Sequence, residues 1–380
     1  LQSTAHREAP AIKVEIALRW ILFGTHLSLL LCTVITFWGL EAALASEFGN
    51  PTSGKASLEN NYQNARPQWN RVDVPGAVCG NGEPYAVFLR RGRADRIAFE
   101  FRGGGACWDG PTCFGPLPFA SLALEPVSGD QGGIGSQDPA KSPLSDATYI
   151  VFPYCTGDVH AGVSSATYGR RSVNHFGHRN IEQSLGTLAL IKGLFESVTE
   201  LYLVGRSAGA IGALLHLPSF EHLFPEARKI ALVDSPGLHF GDRFWQKFAE
   251  PYFSAIRDRM NEVGIQLVAE QGNVAVQIPD FCQRFANWRM GILQSLRDRV
   301  MSLLFGNISQ NAHQQLVMST NGISQLARAQ MGQCFVWIHD SAEHTFLGSE
   351  NDLSRRTKDV SARDFMNLIT GTEPGTSTLP

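Results

Sequence analysis

The chain has 380 residues, 43% of them hydrophobic, enough to bury the core of one large domain or two. Its 32 basic and 35 acidic residues leave a net charge of -3 and are interspersed along the chain. That distribution excludes a polybasic surface for nucleic acid or for an anionic membrane.

Residues 27–40, LSLLLCTVITFWGL, are apolar, follow Lys13 and Arg19, and precede Ala43 and Ala45 in an A-x-A exit site. This is the pattern of a secretory signal peptide over residues 1–45. The run is shorter than the roughly 20 residues that a spanning helix needs. Residues 20–24 could lengthen it, which leaves an uncleaved N-terminal anchor as the alternative and the one expected route to a membrane. Residues 46–66 carry Gly, Ser, Asn and Pro with little apolar periodicity and read as a flexible linker. A catalytic domain over 67–370 and a disordered tail over 371–380 complete the expected organisation.

The fold is expected to start near Trp69. YAVFLRR (85–91) and RIAFEF (96–101) read as a hairpin or as adjacent strands, and TYIVFP (148–153) as the next strand. Ile181, Leu185, Leu188, Ile191 and Phe195 then recur at helical spacing, and ELYLVG follows as a strand. KIALVD (229–234) continues the alternation, with two long helical stretches over about 243–300. A VMSLLF strand, a helix near 311–330 and the strand CFVWI (334–338) complete it. Strands alternating with helices in this way imply an α/β fold, a doubly wound and mainly parallel sheet with helical insertions.

Seven cysteines are present, and Cys32 falls in the signal segment. The other six, Cys79, Cys107, Cys113, Cys155, Cys282 and Cys334, suit up to three disulfides in an exported chain, with the connectivity open. Neither C-x-x-C nor H-E-x-x-H occurs. No metal and no cofactor is therefore expected.

In LYLVGRSAGAIGALL (201–215), Gly205 and Gly209 flank Ser207 as G-x-S-x-G between an apolar strand and a run of small residues. A sharp strand-to-helix turn needs nearly bare neighbours, and it lifts the serine hydroxyl clear of the sheet. A serine is a weak nucleophile, so it requires a base, an orienting third group and donors for an oxyanion. The base should follow the last strand, where His339 and His344 lie. His344 sits deeper in the loop and can swing over the serine. FRGGGACWDG (101–110) is a glycine-rich loop after an early strand, and its amides together with that of Ala208 could form the oxyanion hole.

FRGGGACWD, FPYCTGDVHAG, NHFGHRN, GRSAGA and AEHTF occur in that order over about residues 70–348. Together they resemble the pectin acetylesterase family, which also contains Notum-type carboxylesterases, and they are closest to its bacterial members. The resemblance implies an α/β-hydrolase fold, Ser207 as nucleophile, His344 as base and disulfides. It also implies that Gly104 and Gly105 are the loop donors of the oxyanion hole. One position departs from the family pattern: where its members carry the triad aspartate in D-x-x-Q, this chain has Asn311 with Gln314. Asparagine can orient an imidazole but brings no charge to an imidazolium. Asp280 and Asp340 are the alternative carboxylates.

The expected function is that of a secreted, monomeric serine carboxylesterase removing acetyl or other short acyl groups, on a polysaccharide such as pectin or on a small ester. Trp108, Tyr154 and His160 are candidates to line its pocket. Two other readings stand beside it: a lipid or protein O-acyl deacylase, and, because of Asn311, a catalytically weakened hydrolase-fold binding protein.

Overall fold

The computed structural model describes residues 68–329 and 333–380. The expected signal segment and linker therefore lie outside the described residues. In chain order the strands are β1 (Trp69–Val78), β2 (Pro84–Arg90), β3 (Arg93–Phe101), β4 (Ala147–Phe152), β5 (Ser164–Tyr168) and β6 (Arg171–His175). They continue with β7 (Glu200–Arg206), β8 (Arg228–Asp234), β9 (Trp288–Ser295) and β10 (Cys334–His339), and end with the short antiparallel pair β11 (Arg356–Thr357) and β12 (Val360–Ser361). Eight of them form one sheet in the order β1-β2-β4-β3-β7-β8-β9-β10, and β5 pairs with β6 alone. β1, β2 and β4 join antiparallel, whereas every neighbour from β4 to β10 runs parallel.

The period of two along each strand divides the core between the faces of the sheet. On β7, Leu201 and Leu203 enter one apolar cluster while Tyr202 and Val204 enter the other. The first face is covered by Ile181, Leu185 and Leu188 of helix Gly177–Ala189 and by Ala210, Ala213 and Leu214 of helix Ala208–Leu215. The second is covered by Phe365, Met366 and Ile369 of helix Ala362–Thr370. A Ser361/Asp364 capping box starts that helix by satisfying two main-chain donors reciprocally. This is the expected doubly wound α/β sheet.

Several elements differ from the sequence reading. β2 and β3 are not neighbours, because β4 enters between them and pairs with both. WRMGILQS (288–295), expected inside a helical stretch, is β9. It is buried along nearly its whole length on both faces, and such a segment loses the alternation that marks a strand. VMSLLF, expected as a strand, lies in the π-helical segment Val300–Gly306. Asp298 Oδ1 accepts the N–H groups of Val300 and Met301 at 2.9 Å each and caps the start of this segment. The end of the chain, expected to be disordered, runs beside β10. There Thr378 N–H donates to Val336 O at 2.8 Å and Ile338 N–H to Thr378 O at 2.9 Å.

The six cysteines form three bridges, Cys79–Cys155, Cys107–Cys113 and Cys282–Cys334. Thiol titration of the denatured, unreduced protein is expected to find none of these six free. Cys79 and Cys155 lie 76 residues apart. Closing a loop of that size stabilises by about 4.5 kcal/mol in the chain-entropy picture. A Cys79→Ser/Cys155→Ser pair is accordingly expected to lower Tm, and an unchanged thermal transition would contradict it.

Candidate active site

Five parallel strands deliver their C-terminal ends to one edge of the sheet, the place where open α/β sheets hold ligands. The loop 102–107 follows β3, Ser207 follows β7, Asp234 ends β8, Asp298 lies just beyond β9, and His344 lies beyond β10.

Ser207 has φ 56° and ψ -124°, a strained conformation for a residue with a side chain. The turn tolerates it because its neighbours are bare. A Cβ on Gly209 would lie 2.0 Å from Phe101 O, and one on Gly205 would lie 2.2 Å from Gly209 O. Ser207 N–H donates to Asp234 O at 2.8 Å, fixing the turn to the adjacent strand.

His344 Nε2 lies 2.7 Å from Ser207 Oγ. Its Nδ1 lies 2.9 Å from Asp298 Oδ2 and 3.1 Å from Oδ1. A carboxylate can only accept, so Nδ1 carries the proton and Nε2 presents its lone pair to the serine hydroxyl. Asp298 is fully buried and His344 is one-fifth exposed. Ser207, Asp298 and His344 thus occur in the order serine, acid, histidine that α/β hydrolases use for their triads.

The side chain bonded to His344 Nδ1 is therefore Asp298, and not the expected Asn311. Asn311 sits exposed in the first turn of helix Gln310–Met318, and its helix partner Gln314 accepts from Arg297 at 3.0 Å. Asp340 is paired with Arg297 at 2.6 Å, and Asp280 is exposed in the first turn of helix Ile278–Arg284. His339 stacks on Trp337 at 5.4 Å instead of approaching the serine. Sequence reasoning missed Asp298 because it read β9 as helix. With the strand in place, Asp298 is the first acidic residue after it. Asparagine at 311 was also what motivated a weakened binding protein, and with a carboxylate on His344 that motive is gone.

The glycine loop comes to the same point. Gly104 and Gly105 line a cavity of about 750 Å³ together with Ser207, His344, Arg102 and Arg206. Gly105 has φ 81°, and a Cβ there would lie 1.8 Å from Phe119 O, so only glycine fits. Tyr154 lines this cavity too; its hydroxyl donates to Gly105 O at 2.9 Å and accepts Val159 N–H at 2.8 Å. His160 is buried beneath the loop with Nε2 at 2.9 Å from Arg102 O, so it braces the loop and does not line the cavity. Trp108 packs edge-on against Phe119 and Phe248.

A second, narrow cavity of about 50 Å³ opens on the other side of Ser207 and Ala208. Its walls are Phe240, Phe244, Phe248, Ile256, Met260 and Met301 among others. Phe305 stands between the two cavities, and its carbonyl accepts from the Lys247 ammonium, which lies 4.0 Å from the Phe244 ring centre and 4.5 Å from that of Trp108. Burial among these rings pulls Lys247 down to about 8.

Away from this edge, His178, Glu182 and His216 form the group of possible metal ligands among the described residues. Arg259 donates to His178 Nε2 at 3.1 Å, which places the His178 proton on Nδ1, aimed at His216 Nε2 at 3.0 Å. His216 Nδ1–H in turn donates to Gly212 O at 2.8 Å. Each ring nitrogen of the pair already has a hydrogen-bond partner.

The sheet order and the site at its C-terminal edge define an α/β-hydrolase-like protein. The pectinacetylesterase family model matches residues 63–282, more than half of the chain, and the chain belongs to that family. It is 24% identical over 189 residues to pectin acetylesterase 11 of Arabidopsis thaliana, covering 48% of each chain. It is 30% identical over 180 residues to the palmitoleoyl-protein carboxylesterase notum1' of Xenopus laevis, covering 44% of this chain and 36% of that one. The matched part spans about half, or less, of the length of these curated relatives. The solved structure of the Wnt deacylase Notum from Drosophila superimposes with a TM-score of 0.55 at 18% identity, over 80% of this chain and 92% of that one. At that identity the likeness concerns the fold.

Proposed function

We propose that the chain is a serine carboxylesterase that transfers an acyl group from an ester to Ser207 and then to water. The observation that carries this reading is the Ser207–His344–Asp298 hydrogen-bond line. Ser207 Oγ attacks the ester carbonyl as His344 Nε2 takes its proton. Collapse of the tetrahedral intermediate expels the alcohol, which receives that proton, and water repeats the sequence on the acyl-enzyme. Asp298 holds the tautomer and offsets the imidazolium charge. The amides of Gly104, Gly105 and Ala208 are the proposed oxyanion donors.

The two cavities divide the substrate. The larger one, open and bordered by Arg102, Gln131 and Arg206, suits a polar alcohol such as a sugar unit. The narrow one suits the acyl group. A cavity of about 50 Å³ admits only a small group, which favours acetyl to butyryl esters. Carbohydrate O-acyl groups are therefore the preferred substrates. The apolar lining of the narrow cavity favours a second reading, a lipid or protein O-acyl deacylase. Export is the proposed setting, supported by the three disulfides. No helix among the described residues is long and apolar enough to cross a membrane.

The test is a p-nitrophenyl ester series together with labelling by an organophosphonate. The label is expected on Ser207, and kcat/KM is expected to fall beyond about four to six carbons, since pocket filling sets such selectivity. A rate that keeps rising toward long chains would favour the lipid or protein reading. A label elsewhere, with no ester turnover, would remove the esterase reading.

A further inference from the structure

The end of β8 holds both halves of the site. Asp234 and Ser235 are fully buried. Through its carbonyl Asp234 takes the N–H of Ser207. Through its side chain it takes the N–H groups of Phe346 at 2.6 Å and Leu347 at 2.8 Å, two and three residues past His344. Ser235 Oγ donates to the carbonyl of His344 itself. Ser235 adopts φ 56°, a conformation that residues with a side chain seldom take, and its N–H donates to Leu293 O of β9 at 2.8 Å. One dipeptide thus grips the nucleophile turn, the main chain of the base and the strand that leads to Asp298.

We propose that Asp234 and Ser235 are positioning residues for ester hydrolysis, registering His344 against Ser207 from beneath the site, with the Asp234 carboxylate acting in its ionised form. This rests on the esterase reading above. The bond to the His344 carbonyl fixes the backbone from which the imidazole projects. The two N–H groups held by Asp234 prevent the rest of that loop from rotating. The ionised carboxylate also attracts the imidazolium that forms on His344 in the transition state.

Charge around Asp234 comes from two sides. Arg206, at the end of β7, is the permanent cation that acts on it and is itself bonded to the buried Glu100 at 2.8 Å, and His344 is the titratable group on the other side. Burial dominates over them and over the two N–H bonds, and pushes the carboxyl up to about 6. The sign follows directly. A raised acid favours the fold fully below its ordinary value of 3.8, and that contribution disappears as pH rises through about 6. At pH 8 the fold therefore carries a buried negative charge at a cost to its stability. A residue that lowers stability yet bonds the main chain on both sides of the site is where function is to be sought.

Asp234→Asn and Ser235→Ala test this with p-nitrophenyl acetate as substrate. An asparagine oxygen can still accept both N–H groups, so the first variant removes charge with little change of shape. Each is expected to lower kcat by about 10- to 100-fold with KM little changed, the scale of a small misplacement of reacting groups. Asp234→Asn is also expected to raise Tm at pH 8 more than at pH 4, and to make the acid limb of the kcat profile less steep by one ionisation. Wild-type kcat in both variants, or an unchanged acid limb in Asp234→Asn, would overturn the proposal. If Asp234→Asn fails to fold, Ser235→Ala decides alone. Full activity in Ser207→Ala would instead remove the esterase reading, so the two failures are distinguishable.

Discussion

Ser207→Ala is expected to lower kcat on p-nitrophenyl acetate by about 10⁶-fold, the loss that follows when a triad nucleophile is removed from a site that acts as a unit. The geometry gives that variant little to fall back on. His344 Nε2 bonds the Ser207 hydroxyl at 2.7 Å, and without it the base can act only on water. The oxyanion donors and the cavity remain, so a residual rate about 10³- to 10⁴-fold above that in water is expected. Fold stability should change little or improve, because alanine removes a hydroxyl from a strained turn without altering its φ of 56°. Ser207→Ala and His344→Ala combined should cost no more than either alone. Losses that multiply would show that the two groups act independently and that the triad reading is wrong.

Asp298→Asn is expected to cost about 10⁴-fold in kcat. The side chain is fully buried and accepts from three N–H groups: His344 Nδ1–H, shared between its two oxygens, and the main-chain N–H groups of Val300 and Met301. An amide can turn its oxygen to the main-chain donors, but its NH₂ then faces His344. That arrangement favours a proton on Nε2, which cannot accept from serine. Asn311→Asp, by contrast, should leave the rate within about twofold, as befits an exposed surface position. A large gain in Asn311→Asp, with little loss in Asp298→Asn, would return the acid role to position 311. Substrate binding by Asp298→Asn, measured as KM, is expected to stay near that of the wild type, since the carboxylate is absent from the cavity wall.

The contrast between Ser207 and Asp298 explains what could be read from the sequence. Ser207 was legible because its geometry is local: Gly205, Ser207 and Gly209 must be adjacent in the chain for a strand to turn sharply into a helix. The glycine loop was legible for the same reason, since close backbone approach demands consecutive small residues. His344 was legible from order, as a histidine beyond the last strand. Asp298 was not. It is identified only by the strand before it, and β9 is buried on both faces, so its apolar run has neither the period of a helix nor that of a half-exposed strand.

The tertiary structure alone decided the rest. That β4 would enter between β2 and β3 depends on which long-range pairing buries more surface, and local propensity carries no such information. The narrow cavity is assembled from residues between 105 and 305, and its volume depends on how aromatic rings from separate segments pack. The Asp234–Ser235 grip likewise joins β8 to two loops that lie far away in sequence. What the sequence determined by itself is the turn that presents Ser207, its glycine supports and the alternation of an α/β sheet, each a matter of neighbouring residues, and the place of His344, a matter of chain order. Which carboxylate bonds that histidine, and how large the cavity beside Ser207 is, are settled by distances across the fold, since hydrogen bonds and packing act through space and not along the chain.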